Sequence, residues 1–153
     1  MTSITVARPA DFENLLSLVR DYCDFYGATP SDSALLALFS ALSDDPAREG
    51  VQLIARDDDG TPLGFATVYW SWSTTRAARI GVMNDLFVVP AARGTGLAEQ
   101  LIRACERQCG ERDVTVLSWQ TAPSNRRAQR VYERVGAIRE EWIDYWLAAP
   151  PRA

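Results

Sequence analysis

The sequence predicts an α+β domain built around a mixed sheet, and three observations carry that prediction. Short apolar runs of strand character alternate with stretches whose apolar residues recur at helical spacing. An Asp57-Asp58-Asp59-Gly60 turn joins two of these runs as a hairpin, which requires antiparallel pairing. A later run, Leu86 to Val89, stops at Pro90 and passes through Arg93-Gly94-Thr95-Gly96 into a helix. No linker, repeat or low-complexity stretch divides the 153 residues, so a single domain over 1–153 with a sizeable core is expected.

Each element follows from local chemistry. Ser3–Arg8 reads as a short strand, and Pro9-Ala10-Asp11 opens a helix whose apolar stripe is Leu15, Leu16, Leu18 and Val19. Ser31–Leu42 carries Leu35, Leu36, Leu38, Phe39 and Leu42 at helical spacing. Val51–Arg56 and Leu63–Trp72 are the hairpin strands, and a polar Ser73–Arg76 link leads to a strand over Ile80–Val89. Leu97–Cys109 is the helix after the glycine loop, and Val114–Trp119 reads as a buried strand. Ala128–Val135 is a helix ended by Gly136, and Ala137–Leu147 returns as a last, aromatic-rich strand.

Composition removes several chemistries. All sixteen basic residues are arginine, which excludes a Schiff-base lysine and the lysine of a Walker-type phosphate loop. Histidine is absent as well, so the usual general base and commonest metal ligand are missing, and no metal is expected. Cys105 and Cys109 lie four apart on one helix and read as packing residues rather than ligands. Proton transfer is left to carboxylate, tyrosine, thiol or water. A net charge of -4 with interspersed arginines argues against nucleic acid as a partner. No apolar run reaches the ~20 residues of a membrane span. The first residues do not read as a secretory leader, and a cytoplasmic setting is the expectation.

Strand, glycine loop and helix start together make an anion cradle or an ordinary sharp turn. Glycines allow close backbone approach, and the first helical amides lack internal partners.

Two stretches then resemble a known family. VVPAARGTGLAEQLI resembles motif A of the GNAT N-acetyltransferase superfamily, whose loop reads Arg/Gln-x-x-Gly-x-Gly/Ala; Arg93, Gly96 and Ala98 match it. APSNRRAQRVYERVGA resembles motif B through Asn125, Ala128, Tyr132, Gly136 and Ala137. The resemblance implies a three-layer fold with a mixed, mostly antiparallel central sheet, flanked by helices, and two central strands splayed for acyl-CoA. It implies an acetyl-CoA-dependent N-acetyltransferase acting on a primary amine by direct attack in a ternary complex.

The same resemblance assigns residues. The pyrophosphate of acetyl-CoA would sit on amides from Gly94, Thr95, Gly96, Leu97 and Ala98, with Arg93 either adding charge or fixing the loop through a carbonyl. Backbone groups of Leu86, Phe87 and Val88 would pair with the pantetheine arm, and Asn125 and Ala128 belong to the other side of the cosubstrate site. Arg126, Arg127 and Arg130 either meet the adenosine phosphates or form a solvated basic face. Tyr132 matches the family's tyrosine acid, with a packed structural phenol as the other reading.

The base is the departure. Many relatives carry Glu-Asp before the apolar run, whereas this chain has Asn84-Asp85. An amide cannot take a proton from an ammonium group. Asp85 remains, either as base or as a cap on loop amides, but strand alternation puts it on the opposite face from Asn84 unless a bulge intervenes.

GFATVYWSWS at 64–73 with NDLFVVPAARGTG at 84–96 resembles diamine and polyamine acetyltransferases in particular. An acidic protein suits a cationic substrate. Tyr26, Trp70 and Trp119, with Trp72 and Phe25, are either stacking partners for an alkylammonium or core. A non-catalytic acyl-CoA sensor and a peptide or protein N-terminal acetyltransferase are the other readings. The last strand either pairs two subunits into a homodimer or is a covered edge.

Overall fold

Residue type sorts the chain into alternating strands and helices in a computed structural model that describes residues 1–151. The elements are β1 (Ser3–Val6), α1 (Phe12–Phe25), α2 (Asp32–Asp44), β2 (Gly50–Arg56), β3 (Pro62–Ser73), β4 (Ala78–Val88), α3 (Leu97–Gly110), β5 (Leu117–Ser118) and α4 (Arg126–Arg134). The strands form one sheet in the order β1-β2-β3-β4-β5. β1 to β4 pair antiparallel in succession, and β5 alone runs parallel to β4.

Helices cover both faces and give the sheet two cores. On one face Leu15, Leu18 and Val19 of α1 and Leu35 and Phe39 of α2 pack on Ile54, Phe65 and Phe87. On the other, Leu97, Leu101, Ile102 and Cys105 of α3 pack on Leu53, Ala66, Val68 and Met83. Sandwiched between them, β2 buries residues on both sides, which accounts for its almost uninterrupted apolar run. Cys105 and Cys109 are buried in the α3 core, as packing residues at helical spacing should be. Among the described residues no helix is long and apolar enough to cross a membrane.

Helix starts and turns follow the sequence signals. Ser31 caps α2 by accepting from the amide of Ala34. The Asp57–Gly60 turn closes the β2–β3 hairpin, with the Asp57 carboxylate accepting from the amides of Asp59 and Thr61. Past α4, Gly136 takes a left-handed φ of +81°, and the Ala137 amide donates to the Tyr132 carbonyl, which reverses the chain.

Two strand expectations fail. The strand expected over Val114–Trp119 is only Leu117–Ser118, and the last strand expected over Ala137–Leu147 does not form. Both failures have one cause. A strand exists only where a neighbour takes its backbone bonds, and β5 meets β4 at just Gly81↔Leu117 and Val82↔Ser118. The alternating pattern beyond Gly136 therefore lies unpaired, with Trp142, Tyr145, Trp146 and Leu147 exposed.

Candidate active site

The glycine loop ends in a helix start that lacks a side-chain cap. Gly96 is the N-cap of α3 with φ 87°, and no side chain accepts from the first turn. α1 also starts without a side-chain cap, whereas Ser31 caps α2 and Asn125 caps α4 by accepting from the Ala128 amide at 3.2 Å. The first amides of α3 are thus left for an outside acceptor. Gly94 is also left-handed at φ 85°, and a Cβ on either glycine would meet nothing within 4 Å. Thr95 holds the loop by donating from Oγ1 to the Ala92 carbonyl at 2.7 Å.

Beside the loop, the sheet opens. β4 and β5 part after Val82, so the edge of β4 from Met83 to Val88 has no strand on that side. The Val89 amide donates to the Leu63 carbonyl of β3, so the Val88 carbonyl in the same peptide points to the open side. Arg93 Nε donates to that carbonyl at 2.9 Å, and its guanidinium lies 5.9 Å from the Phe87 ring centre. Leu86 and Val88 direct their side chains into the α3 core, and Phe87 directs its ring into the α1–α2 core.

A bulge lies at the mouth of this opening. Thr67 of β3 pairs with Asp85 and Val68 with Met83, so Asn84 is the extra residue on β4. The bulge brings the two side chains together, and Asn84 Nδ2 donates to Asp85 Oδ1 at 2.9 Å. The hydroxyls of Thr67 and Tyr22 also face the Asp85 carboxylate. Burial raises its pKa above the usual carboxylate range, and these three polar neighbours pull it partly back.

Across the opening stands Tyr132 on α4. Its ring meets Trp119 edge-on at 5.3 Å, and its hydroxyl faces Thr121. Burial raises its pKa, which Thr121 offsets in part and nearby Tyr26 adds to. The phenol therefore keeps its proton at neutral pH. Tyr26 closes the group from the end of α1, edge-on to Tyr22 at 4.9 Å.

A model of the acetyltransferase (GNAT) family matches residues 15–137, which takes in the loop, the bulge and Tyr132. The chain belongs to the GNAT acetyltransferase family. An uncharacterized N-acetyltransferase, YhfO of Bacillus subtilis, is 30% identical over 98% of this chain and 99% of its own. The thialysine N-epsilon-acetyltransferase of Bos taurus is 24% identical over 88% of this chain and 82% of its own. Among solved structures, a probable acetyltransferase superposes with a TM-score of 0.84, 24% identity and coverage of 98% and 99%. The aminoglycoside N-acetyltransferase AAC(6')-Iy, solved in complex with CoA, does so at 0.83 with 22% identity over 97% and 95%.

In this GNAT chain the opening gathers Tyr26, Asn84, Asp85, Trp119 and Tyr132 from the residues singled out in the sequence. Trp70 is not among them. It is 8% exposed in the α3 core, its indole N–H bonds the Pro46 carbonyl, and Arg112 stacks on its ring at 5.3 Å. Strand alternation past the bulge turns it away from Asp85, so the reading of Trp70 as a substrate residue is corrected to core. Trp72 is exposed beside Arg48, Glu49 and Arg79, and Arg126, Arg127 and Arg130 are exposed on α4. Sequence reasoning missed Tyr22, Thr67, Tyr69 and Thr121. The signal for Tyr22 was present, since it extends the Leu15, Leu18, Val19 stripe toward the sheet.

Proposed function

We propose that this chain moves an acetyl group from acetyl-CoA to a primary amine by direct attack, as one domain working in the cytoplasm. The observation that carries the reading is the bulge at Asn84, which sets the Asp85 carboxylate beside the opening in the sheet. The uncapped amides of Leu97 and Ala98, the left-handed Gly94 and Gly96, and Thr95 suit a pyrophosphate. Leu86 and Val88 offer backbone bonds to an amide-bearing arm, while Phe87 turns its backbone groups toward β3, and Arg93 braces that edge. Asn125 makes its cap through Oδ1, which accepts from the Ala128 amide, so its Nδ2 is not used in the cap. When bound, acetyl-CoA supplies a thioester carbonyl for attack.

The residues divide the proton work. An alkylammonium has a pKa near ~10.4, so it must lose a proton before it attacks. Asp85 takes that proton; its raised pKa makes it a better acceptor than an exposed carboxylate. Asn84 holds one carboxylate oxygen and so fixes the other. Tyr132 keeps a proton on the far side for the leaving thiolate. Tyr26 and Trp119 give aromatic walls on which a cationic acceptor stacks.

The protein works as a homodimer in this reading. Trp142 at 81%, Trp146 at 90% and Leu147 at 95% exposure form more bare apolar surface than a lone chain usually carries. The segment also holds Glu140, Glu141 and Asp144, opposite in sign to the arginines of α4 beside the free β5 edge. One chain thus carries both a donor strand and its acceptor edge, which a second copy satisfies reciprocally.

The experiment is release of free thiol from acetyl-CoA against polyamines, amino acids, aminoglycosides and peptides. Turnover with small primary amines is expected. CoA binding without turnover on any acceptor would leave a sensor instead.

A further inference from the structure

We propose that Gln52 and Thr67 are positioning residues for Asp85, forming a polar ladder across three strands that aims the carboxylate; this rests on Asp85 being the base. The register puts them in one row. Gln52 of β2 pairs with Thr67 of β3, and Thr67 pairs with Asp85 of β4. Residues directly opposite on neighbouring strands share a face with their Cβ atoms about 5 Å apart. Gln52 Nε2 donates to Thr67 Oγ1 at 3.3 Å, and the register sets Thr67 directly opposite Asp85 on the same face of the sheet.

The row is chemically directional. A threonine hydroxyl has one proton and two lone pairs. Accepting from Gln52 occupies a lone pair, which leaves the proton for Asp85. Gln52 therefore acts through Thr67 rather than on the carboxylate itself. Asn84 donates to one carboxylate oxygen as well, which leaves the Thr67 side of the group to be set by the row.

Burial makes the row more than a packing detail. Among the described residues, Gln52 at 5% and Thr67 at 0% exposure are the buried polar side chains of an otherwise apolar core. Apolar residues of the same size would fill that space without needing partners. The polar pair leads to the Asp85 carboxylate at the opening and ends there.

The titratable groups that face Asp85 are Tyr22 and Cys23 of α1 and Tyr69 of β3. Burial first, and then the Asp85 charge, push each of them up, Tyr69 to about 12. All three are neutral near pH 7, so the acid limb of the rate profile belongs to Asp85.

The sign follows. A hydrogen bond to the charged form favours that form, so losing the Thr67 donor raises the Asp85 pKa further. The test compares kcat/KM from pH 5 to 9 for Thr67→Val, Thr67→Ser and Gln52→Met, with thermal melting to confirm folding. Thr67→Val moves the acid limb up by about one pH unit, as expected for losing one bond to a charged group. Thr67→Ser restores the limb, and Gln52→Met shifts it the same way by less. In an Asp85→Asn background, Thr67→Val has no further effect on the profile. If Asp85→Asn kept activity across neutral pH, the base assignment itself would fall. If Asp85→Asn is inactive but Thr67→Val leaves the limb in place, or Thr67→Ser does no better than Val, the ladder is overturned and the base stands.

Discussion

α3 and α4 flank the same opening, and each starts at an N-cap beside it, yet they are held in opposite ways. α3 buries Leu97, Leu101, Ile102, Ala104, Cys105 and Cys109 in the core. α4 buries no side chain and touches that core through half-buried Val131 and Tyr132. Four of its nine residues are arginine, so its sequence has little apolar surface to bury. The glycine-loop side of the site is therefore fixed by the core of the protein. The Tyr132 side rests on the Asn125 cap, the chain reversal at Gly136, the Trp119 contact and the helix end, where Val135 enters the core and its carbonyl accepts from Arg103 of α3.

The comparison breaks first in stability. Leu101 is fully buried, and Leu101→Ala should cost about 2–5 kcal/mol through lost contacts and a cavity. That corresponds to a melting point lower by roughly 5–20 °C for a chain of this size. Val131→Ala on α4 should cost under about 1 kcal/mol, as for a partly exposed position. Thermal denaturation of both variants decides it, and equal losses would mean that the two helices are anchored alike.

This asymmetry also marks how far the sequence was legible. α1, α2, β2, β3 and α3 were readable because one rule, apolar spacing, decided them, and tertiary packing agreed with it. The loop at Arg93–Gly96 was readable because left-handed backbone requires particular residues. The Asn84 bulge was legible only as a condition for Asp85 to share a face with Asn84, since a bulge is set by the register of two strands and leaves no local mark in either. The Gln52–Thr67–Asp85 row was hidden for the same reason, being spread over three strands. Ala137–Leu147 has strand alternation without a partner in the same chain, and alternation reports a face rather than a neighbour.

That unpaired segment gives the second way to sharpen the comparison. If a second copy covers the β5 edge, α4 gains the packing that its own chain lacks. Light scattering should then give twice the monomer mass for the full chain. Trp142→Arg with Trp146→Arg should weaken the association by roughly tenfold or more, as for buried aromatic anchors at an interface. A monomer at tens of micromolar, or a dimer indifferent to both substitutions, would show that the segment serves something else.

Tyr132 tests the α4 side through chemistry rather than stability. A thiol has a pKa near ~8.5 and leaves fairly well as thiolate, so protonating it helps less than protonating an alkoxide. Tyr132→Phe should lower kcat by roughly tenfold to a hundredfold, near the foot of the usual range for a positioned acid. CoA affinity should hardly change, because the ring and its edge contact with Trp119 remain. The pH profile distinguishes this from simple repacking. An acid works only while protonated, and burial raises this phenol above its ordinary value, so the wild-type rate should fall only above pH 10. Phe has no proton to lose, so the variant should show no such fall. A variant with full rate would mean that Tyr132 holds α4 against β5 and transfers nothing.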